Sequence, residues 1–333
     1  MRRTPDALIV TREDVRRLLT LDQCITAVEE AFRLHGLGAV PTPGIHATHV
    51  GGGGFHVKAG AMPFEGRWYY AVKANANFPG NESRTGLPTI QGIVALFDAE
   101  CGLPLAMMDS IEITILRTAA ATAVAAKHLA RPDSSAVTIV GCGQQARSQL
   151  AALAAVLPLR AAYAIDVDGD RARRFATDAG AALRMEIRAA SDLVDAARRS
   201  DAIVTCTPSR APLLMSGMVR PGTFVAAVGA DHADKQELDP ALLARSRVVP
   251  DVIAQAAAIG ELHHALTAGV VDLSAIAGGL GDVVAGRTSG RRSADEITIF
   301  DSTGMALQDV AAACAIYKAA AADPAVRTIP LAT

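Results

Sequence analysis

The sequence has few aromatic residues and no apolar run long enough for a membrane helix. Phe, Trp and Tyr make up 4% of its 333 residues, and the longest apolar stretch in its middle, residues 119–126, is soon followed by Lys127 and His128. About 20 consecutive apolar residues are needed to cross a bilayer. The first residues contain two arginines but no sustained apolar region and no small-residue cleavage site, which argues against a signal peptide.

An excess of charge of either sign is also missing. The chain has 32 Lys and Arg against 34 Asp and Glu, with no stretch dense in Lys or Arg. A chain that binds nucleic acid or an anionic membrane is expected to show an excess of Lys and Arg. The balance therefore argues against both kinds of partner and favours a small-molecule ligand.

Cysteine pairs with metal-binding or redox spacing are absent as well. The dispersed cysteines are typical of reduced thiols in a cytoplasmic protein; they are Cys24, Cys101, Cys142, Cys206 and Cys314. His46, His49 and His56 surround a glycine turn without Cys, Asp or Glu close by. We therefore expect no metal site.

The length suggests two domains, and the first part of the chain is typical of an α+β domain. Residues 8–35 are predicted as a short strand and a helix that begins with the capping box Thr11–Asp14. Residues 45–108 are predicted as strands, including a hairpin around the glycines at 51–54.

A second pattern begins near residue 114, where an Ala-rich helix is followed by alternating strands and helices. The strands are apolar and β-branched, and such alternation predicts a parallel sheet covered on both faces. The sequence therefore predicts an α/β fold in which a Rossmann-type doubly wound parallel sheet accompanies the α+β domain. The predicted elements are strands 136–140, 161–165, 202–206, 223–228 and 297–300, and helices from Gln144 and over 170–179, 191–199 and 305–322.

A glycine-rich loop is the strongest single motif. The strand at 137–140 runs into Gly141-Cys-Gly143-Gln144-Gln145-Ala146, which opens a helix. Gly141 permits a tight turn, Gly143 lets the backbone approach a pyrophosphate, and Ala146 keeps the helix close to the strand. We predict that this loop, Gln144 and Gln145 included, binds a dinucleotide; a structural glycine turn is the alternative.

Asp166 supports the dinucleotide interpretation. It ends the next strand, where a carboxylate accepts hydrogen bonds from the adenosine ribose. A carboxylate repels a 2′-phosphate and so favours NAD, whereas Arg171 could contact that phosphate and keeps NADP as the alternative. Thr205 and Thr207 follow a later strand, at the carboxyl edge where the nicotinamide half is expected.

Further segments between about residues 60 and 310 follow one another in a recognisable order. They are Met62-Pro63, Val72-Lys73, Asn77–Asn81, Gly86–Thr89, Ile113–Ala120, Gly141–Ala146, Ala227–Asp231 and Phe300–Gly304. In this order they resemble the ornithine cyclodeaminase and mu-crystallin family, with its archaeal-type alanine dehydrogenases and ketimine reductases. The resemblance implies a homodimer, a substrate-binding and dimerisation domain over residues 1–116 completed by a C-terminal helix at 305–333, and a Rossmann domain over 117–304.

The resemblance also implies roles for single residues. Arg117 corresponds to the arginine that holds the substrate carboxylate, Lys73 to a lysine beside the reacting centre, and Asp231 to the acid/base aspartate. The remaining implied contacts are Thr89 and Lys235 with the cofactor and Thr303 with the substrate.

The residues themselves are compatible with these roles but leave alternatives. A guanidinium suits a carboxylate, yet Arg117 could also be a solvated arginine on a helix face. Lys73 interrupts a half-buried strand, where a lysine needs an anionic partner or a shifted pKa, and the alternative is an edge-strand charge. Asp231 follows an apolar strand and could be a simple turn residue.

Two departures from the family bear on the substrate. Ornithine cyclodeaminases have a glutamate, a candidate for holding the distal amine, where this chain has Gly60, and the family's Pro-Arg is absent because Pro43 precedes Gly44. Instead, His56, Lys58 and Gly60 alternate along one predicted strand face. Lys58 is a candidate carboxylate ligand that replaces the missing arginine; the alternative is an exposed strand lysine. Losing an anion and gaining a cation disfavours a diamine substrate.

The sequence therefore predicts an NAD-dependent enzyme that exchanges a hydride with the Cα of a small α-amino or α-imino acid. One alternative is cyclodeamination, in which ammonia leaves and NAD is recycled. Another is a non-catalytic small-molecule binder of the mu-crystallin type. The sequence does not name the substrate or the direction of the reaction.

Overall fold

The computed structural model describes residues 6–331, and the chain forms two compact units. Unit 1 comprises the chain up to Arg117 together with the segment from Met305 onward, and unit 2 is Thr118–Gly304. The two arginines considered above in connection with a signal peptide lie outside the described residues. Between residues 6 and 331, no helix combines the length and apolarity that crossing a membrane requires.

The helices and strands follow in chain order. The first group is β1 (Ala7–Val10), α1 (Arg12–Leu18), α2 (Leu21–Gly36), β2 (Gly44–Val50), β3 (Gly53–Phe64), β4 (Arg67–Asn77), α3 (Asn81–Thr85), β5 (Ile90–Asp98), β6 (Pro104–Asp109) and α4 (Ser110–Leu129). The second group is β7 (Ala136–Val140), α5 (Ala146–Val156), β8 (Ala161–Ile165), α6 (Gly169–Leu183), β9 (Glu186–Ala189), α7 (Leu193–Arg199), β10 (Ala202–Thr205), β11 (Arg210–Leu214), β12 (Phe224–Ala227), β13 (Gln236–Leu238), α8 (Pro240–Ala244), β14 (Arg247–Pro250), α9 (Ile253–Ile259), α10 (Glu261–Thr267), α11 (Leu280–Val284) and β15 (Thr298–Asp301). The chain continues with α12 (Ala306–Ala321) and β16 (Arg327–Ile329).

Unit 1 is built on a mixed sheet. Its strand order is β16-β1-β6-β5-β4-β3-β2, and its neighbouring strands are antiparallel except β1 and β6. Helix α12 packs on β3, β4 and β5 and also on α2. One face of the sheet is therefore covered by helices, and side chains alternate between this covered face and the opposite one.

Unit 2 contains the predicted doubly wound parallel sheet, which confirms the fold class. The strand order is β14-β15-β12-β10-β7-β8-β9, and all neighbours are parallel. The chain proceeds outward from β7 through β8 to β9, then returns to β10 on the other side of β7. The sheet therefore has its topological switch point between β7 and β10, where open α/β sheets bind ligands.

Most of the individually predicted elements are present, with local corrections. The strands at 136–140 and 161–165 are confirmed as β7 and β8, and the hairpin around the glycines as β2 and β3. The single helix predicted within residues 8–35 is wrong, because the chain there forms α1 and α2. Thr20 breaks it: its hydroxyl accepts a hydrogen bond from the Gln23 N–H and the Gln23 side chain bonds back, so a new helix starts.

Candidate functional site

The glycine-rich loop connects β7 to α5 at the switch point. Gly141 has a φ of +94°, and a Cβ there would lie 2.8 Å from the Thr207 Cγ2 and 2.9 Å from the Cys206 carbonyl oxygen. Both the left-handed backbone and this close approach require glycine. The ends of β7 and β10 therefore pack directly against each other at the loop.

The rest of the loop leaves room for a ligand. A Cβ at Gly143 would meet no atom within 4 Å, and Gln144 is exposed, whereas Ala146 is buried at the start of α5. No side chain caps this helix end, and the buried Gln145 Oε1 has no hydrogen-bond partner among residues 6–331. An open loop followed by uncapped helical N–H groups fits a phosphate group.

Asp166 lies beside this loop, as predicted from its position after β8. Its carboxylate accepts hydrogen bonds from the Cys142 N–H at 2.8 Å and from the Asp168 N–H at 2.9 Å. Arg171 approaches both Asp166 and Asp168 at 3.7 Å. The arginine that would contact a 2′-phosphate is thus accompanied by two carboxylates, which repel that phosphate.

Glu237 joins the ends of β10 and β12, although sequence reasoning did not identify it. It is fully buried, and its carboxylate accepts hydrogen bonds from the Thr207 N–H at 2.6 Å, the Thr207 hydroxyl at 2.8 Å and the Gly229 N–H at 2.8 Å. A Cβ at Gly229 would lie 2.3 Å from the Thr207 carbonyl oxygen, so glycine is required there. Thr205, also a predicted cofactor contact, is two residues before Thr207. It is buried and is the last residue of β10.

Two more buried carboxylates, those of Glu261 and Asp301, are linked to Glu237 through hydrogen bonds with backbone N–H groups. Glu261 accepts hydrogen bonds from the Glu237 N–H at 2.7 Å and the Leu238 N–H at 3.1 Å, and Asp301 accepts them from the Glu261 and Leu262 N–H groups. Burial raises the pKa of all three carboxyl groups. The pKa of Glu237 is raised, that of Glu261 rises to about 9, and that of Asp301 rises to about 7. These carboxyl groups tie the loop after β12 to the end of β15.

Asp231 and Lys235 lie on the loop between β12 and β13. The Lys235 Nζ donates to the Asp231 carboxylate at 2.6 Å. The Asp231 side chain is 58% exposed and is therefore open to a ligand. The structure thus brings together two residues to which the family resemblance assigned an acid/base role and a cofactor contact.

Thr303 has a different environment from the other predicted ligand contacts. It is buried, and its hydroxyl donates to the Asp251 carboxylate at 2.7 Å. The Gly304 N–H is bonded to the same carboxylate. In unit 2, Thr303 therefore secures the turn after β15.

Unit 1 brings Lys73 and Arg117 together on one carboxylate. The Lys73 Nζ donates to Asp309 Oδ1 at 2.7 Å, and the Arg117 Nε donates to the same atom at 3.1 Å. Arg117 Nη1 also donates to Gln308 Oε1 at 2.8 Å, and all four side chains are buried. Burial lowers the pKa of Lys73 to about 7, although Asp309 acts to raise it. Burial would raise the pKa of Asp309, but Lys73 and Arg117 outweigh burial and lower it.

Lys58 faces the same side of the sheet as Lys73, and Gly60, two residues further along β3, packs against α12. Lys58 and Lys73 are directly opposite each other in β3 and β4, an arrangement that places their Cβ atoms about 5 Å apart. A Cβ at Gly60 would lie 3.1 Å from Leu307 Cδ2 and 3.7 Å from Val310 Cγ2, so this glycine lets α12 approach β3.

Thr89 does not join this cluster. It precedes β5, and its carbonyl oxygen accepts a hydrogen bond from the Phe78 N–H. Lys73 of β4 pairs with Val94 of β5. Val94 is five residues after Thr89, which is roughly 16 Å along an extended chain.

Gln308 and Asp309 were the main residues that sequence reasoning missed in unit 1. A signal was present, because α12 is otherwise almost entirely apolar and these two polar residues lie together in its first turn. Polar side chains in an apolar, buried helix need polar partners. The partners of Asp309 are 192 and 236 residues away in sequence and that of Gln308 is 191 residues away, so they could not be identified from the pattern alone.

Comparisons with known proteins extend over nearly the whole chain. A sequence model of the ornithine cyclodeaminase/mu-crystallin family matches residues 6–323. Alanine dehydrogenase of Archaeoglobus fulgidus is 40% identical over 316 residues, which are 94% of this chain and 95% of that protein. The solved structure of an archaeal alanine dehydrogenase dimer with bound NAD has a TM-score of 0.92 at 38% identity, covering 98% of this chain and 100% of that chain. The Δ1-pyrroline-2-carboxylate reductase of Thermococcus litoralis, solved with NADH and L-proline, has a TM-score of 0.91 at 31% identity, covering 97% and 100%.

Proposed function

Because the chain belongs to the ornithine cyclodeaminase/mu-crystallin family, we propose that it is an NAD-dependent oxidoreductase of small α-amino and α-imino acids. The observation that carries this proposal is the buried cluster of Lys73, Arg117 and Asp309. With Lys73 protonated, two cations and one carboxylate leave one net positive charge in a place shielded from water. A substrate carboxylate compensates that charge, as a buried cation requires.

NAD is the proposed cofactor, in keeping with the NAD and NADH bound to the similar structures. When bound, it exchanges a hydride with the substrate Cα. The loop Gly141–Ala146 holds the pyrophosphate, Asp166 holds the adenosine ribose, and Thr205 and Thr207 lie at the carboxyl edge expected for the nicotinamide half. Thr89 and Lys235 are the further cofactor contacts that we propose from the family.

We expect this protein to bind NADH more tightly than NADPH. Asp166 and Asp168 both lie 3.7 Å from Arg171, and Asp168 also lies 4.0 Å from Arg174, so the guanidinium groups that a 2′-phosphate would contact already face two carboxylates that repel it. Fluorescence titration of both nucleotides measures the difference, and Asp166→Ser should narrow it. Asp170→Ser is the control, because Asp170 pairs with Arg173 on the same helix. Tighter binding of NADPH by the unaltered protein would contradict the assignment.

The substrate carboxylate is held by Arg117 and Lys73 in this proposal. A guanidinium donates through a planar fork that matches a carboxylate, and Lys73 adds a second cation. Asp231 takes up or delivers the proton on the substrate nitrogen, and its carboxylate accepts a hydrogen bond from the adjacent Lys235 ammonium at 2.6 Å. Thr303, which the family resemblance relates to the substrate, is proposed to support the turn that follows β15.

The preferred substrates should have neutral or acidic side chains. No carboxylate stands at Gly60, where α12 packs closely, and Lys58 adds a cation beside Lys73. A distal amine would meet like charge there. Pyrroline-2-carboxylate, piperideine-2-carboxylate and pyruvate with ammonia, each offered with NADH, should therefore be turned over far better than ornithine or lysine offered with NAD.

The same assay distinguishes the alternatives. Efficient proline formation from ornithine without net change in NADH would identify a cyclodeaminase and contradict the proposed substrate class. Absence of turnover with every imino acid, together with measurable NADH binding, would identify a non-catalytic binder.

Lys58→Met should raise the KM and leave kcat nearly unchanged if Lys58 binds the carboxylate equally in ground and transition states.

We also expect a homodimer. The side chains of β3–β6 that point away from α12 form an apolar, exposed surface of unit 1, which includes Phe55, Trp68, Tyr70, Ile93 and Met107. Exposed apolar surfaces of this kind are typical of protein interfaces. Light scattering should give twice the chain mass of 34.5 kDa, and Ile93→Asp should shift the protein toward the monomer. A monomeric unaltered protein would contradict this expectation.

A further inference from the structure

Asp309 contacts both Lys73 and Arg117. It lies in the first turn of α12, its side chain is 3% exposed, and both cations reach the same oxygen, Oδ1. The family resemblance assigns roles to Lys73 and Arg117 but none to Asp309. Its position therefore raises the question of what a buried carboxylate does between two substrate-binding cations.

The charges of this cluster are only partly balanced. When Lys73 is protonated, Lys73 and Arg117 contribute two positive charges, and Asp309 contributes one negative charge. Without Asp309, two buried cations would face each other with no anion between them, and burial would favour loss of the lysine proton. With Asp309, one net positive charge remains, which matches the single charge of a substrate α-carboxylate.

We infer that Asp309 is a positioning residue that keeps Lys73 protonated and holds Lys73 and Arg117 in the arrangement that binds the substrate carboxylate. This inference rests on the proposed function. It assigns to Asp309 no proton transfer and no contact with the reacting atoms.

Two polar atoms beside the shared oxygen support a ligand at this cluster. Asp309 Oδ2 and Gln308 Nε2 are buried and have no hydrogen-bond partner in the described part of the chain. Buried polar groups without partners are rare and call for an explanation. A substrate carboxylate held by Lys73 and Arg117 offers an acceptor for the Gln308 amide, which donates to no other group in the described part of the chain through Nε2.

The charged groups around Lys73 predict how Asp309 affects titration. Arg117 on α4 and Lys58 on β3 act to lower the pKa of Lys73, as burial does, and Asp309 on α12 opposes them. The resulting pKa is about 7. Loss of the Asp309 charge should therefore lower the pKa of Lys73 further and deprotonate it at neutral pH.

The test is the pH profile of Asp309→Asn in the full-length protein. At about pH 8, kcat/KM for pyrroline-2-carboxylate should fall about 10-fold, mostly through KM, because the basic limb of the profile should move about one pH unit toward acid. The defect should shrink at about pH 6, where Lys73 regains its proton. Asp98→Asn is the control, since it removes another carboxylate of unit 1, paired with Arg67, outside the cluster.

A second variant covers the case in which the first does not fold. Gln308→Glu combined with Asp309→Asn keeps one carboxylate in the cluster and moves it to the residue that contacts Arg117 Nη1. Arg117 then keeps an anionic partner while Lys73 loses its own. The variant should therefore retain the acid-shifted profile.

The outcomes separate this inference from the proposed function. An unaltered profile in either folded variant, or a loss of the same size at every pH, would overturn the role of Asp309. An effect of the same kind in Asp98→Asn would also overturn it. Absence of imino-acid turnover in the unaltered protein would instead contradict the proposed function itself, and NADH titration would show whether unit 2 remains folded.

Discussion

Asp231→Asn is expected to slow turnover by about 10²- to 10⁴-fold, the scale for loss of a positioned proton-transfer group. Asparagine has nearly the same shape as aspartate but cannot accept the proton. Asp231 is exposed on the loop after β12 and paired with Lys235 at 2.6 Å, so the change should leave the fold intact. The measurement is kcat for imino-acid reduction at saturating NADH.

Its control lies on the same loop. Asp234→Asn removes a neighbouring exposed carboxylate that lies 3.8 Å from the His232 ring, and it should retain turnover. NADH affinity should be unchanged in both variants. If Asp231→Asn kept nearly full activity, the residue would be a turn aspartate and the proton would move elsewhere.

Arg117→Met is expected to lower kcat/KM by about 10²- to 10³-fold. The substrate carboxylate loses its guanidinium partner, and truncating one partner of a buried charge pair in a complex costs about 2–5 kcal/mol or more. Asp309 keeps Lys73 as a partner in this variant, so no buried charge is left alone and the fold should survive. Arg117→Lys should recover only part of the loss, because an ammonium lacks the planar fork.

Arg12→Met is the matched comparison for this prediction. Arg12 makes a two-point contact with Asp109 in the same unit, so its removal measures the general cost of losing such a pair. Steady-state kinetics with pyrroline-2-carboxylate should show a large KM effect only for the Arg117 variants. Equal kinetics in both would mean that Arg117 serves the structure alone.

Local sequence chemistry accounts for the elements that were predicted correctly. The strand β7, the glycine at 141 and the acidic residue at 166 follow from rules that act over a few residues: apolar alternation, a turn that needs positive φ, and a carboxylate at a strand end. The family resemblance drawn from such segments is confirmed by the match over residues 6–323.

Local rules also explain where the prediction was wrong. The helical periodicity of residues 8–35 continues through Thr20, so periodicity alone predicts one helix. The Thr20 hydroxyl competes for backbone hydrogen bonds and ends that continuity. Gly60 was interpreted through the missing carboxylate of the family, whereas its close neighbours are apolar side chains of α12.

The sequence by itself determined the fold class, the family and the residue types available for binding a dinucleotide and a carboxylate. Only the tertiary structure decided which charges neutralise one another. Asp309 meets Lys73 and Arg117, and Glu237 meets Thr207 and Gly229, through contacts between separate elements. Periodicity reports which face of an element is apolar, but the free energy of a buried charge depends on the partner that another element brings within about 3 Å. That partner is chosen by packing, so it is read from the structure.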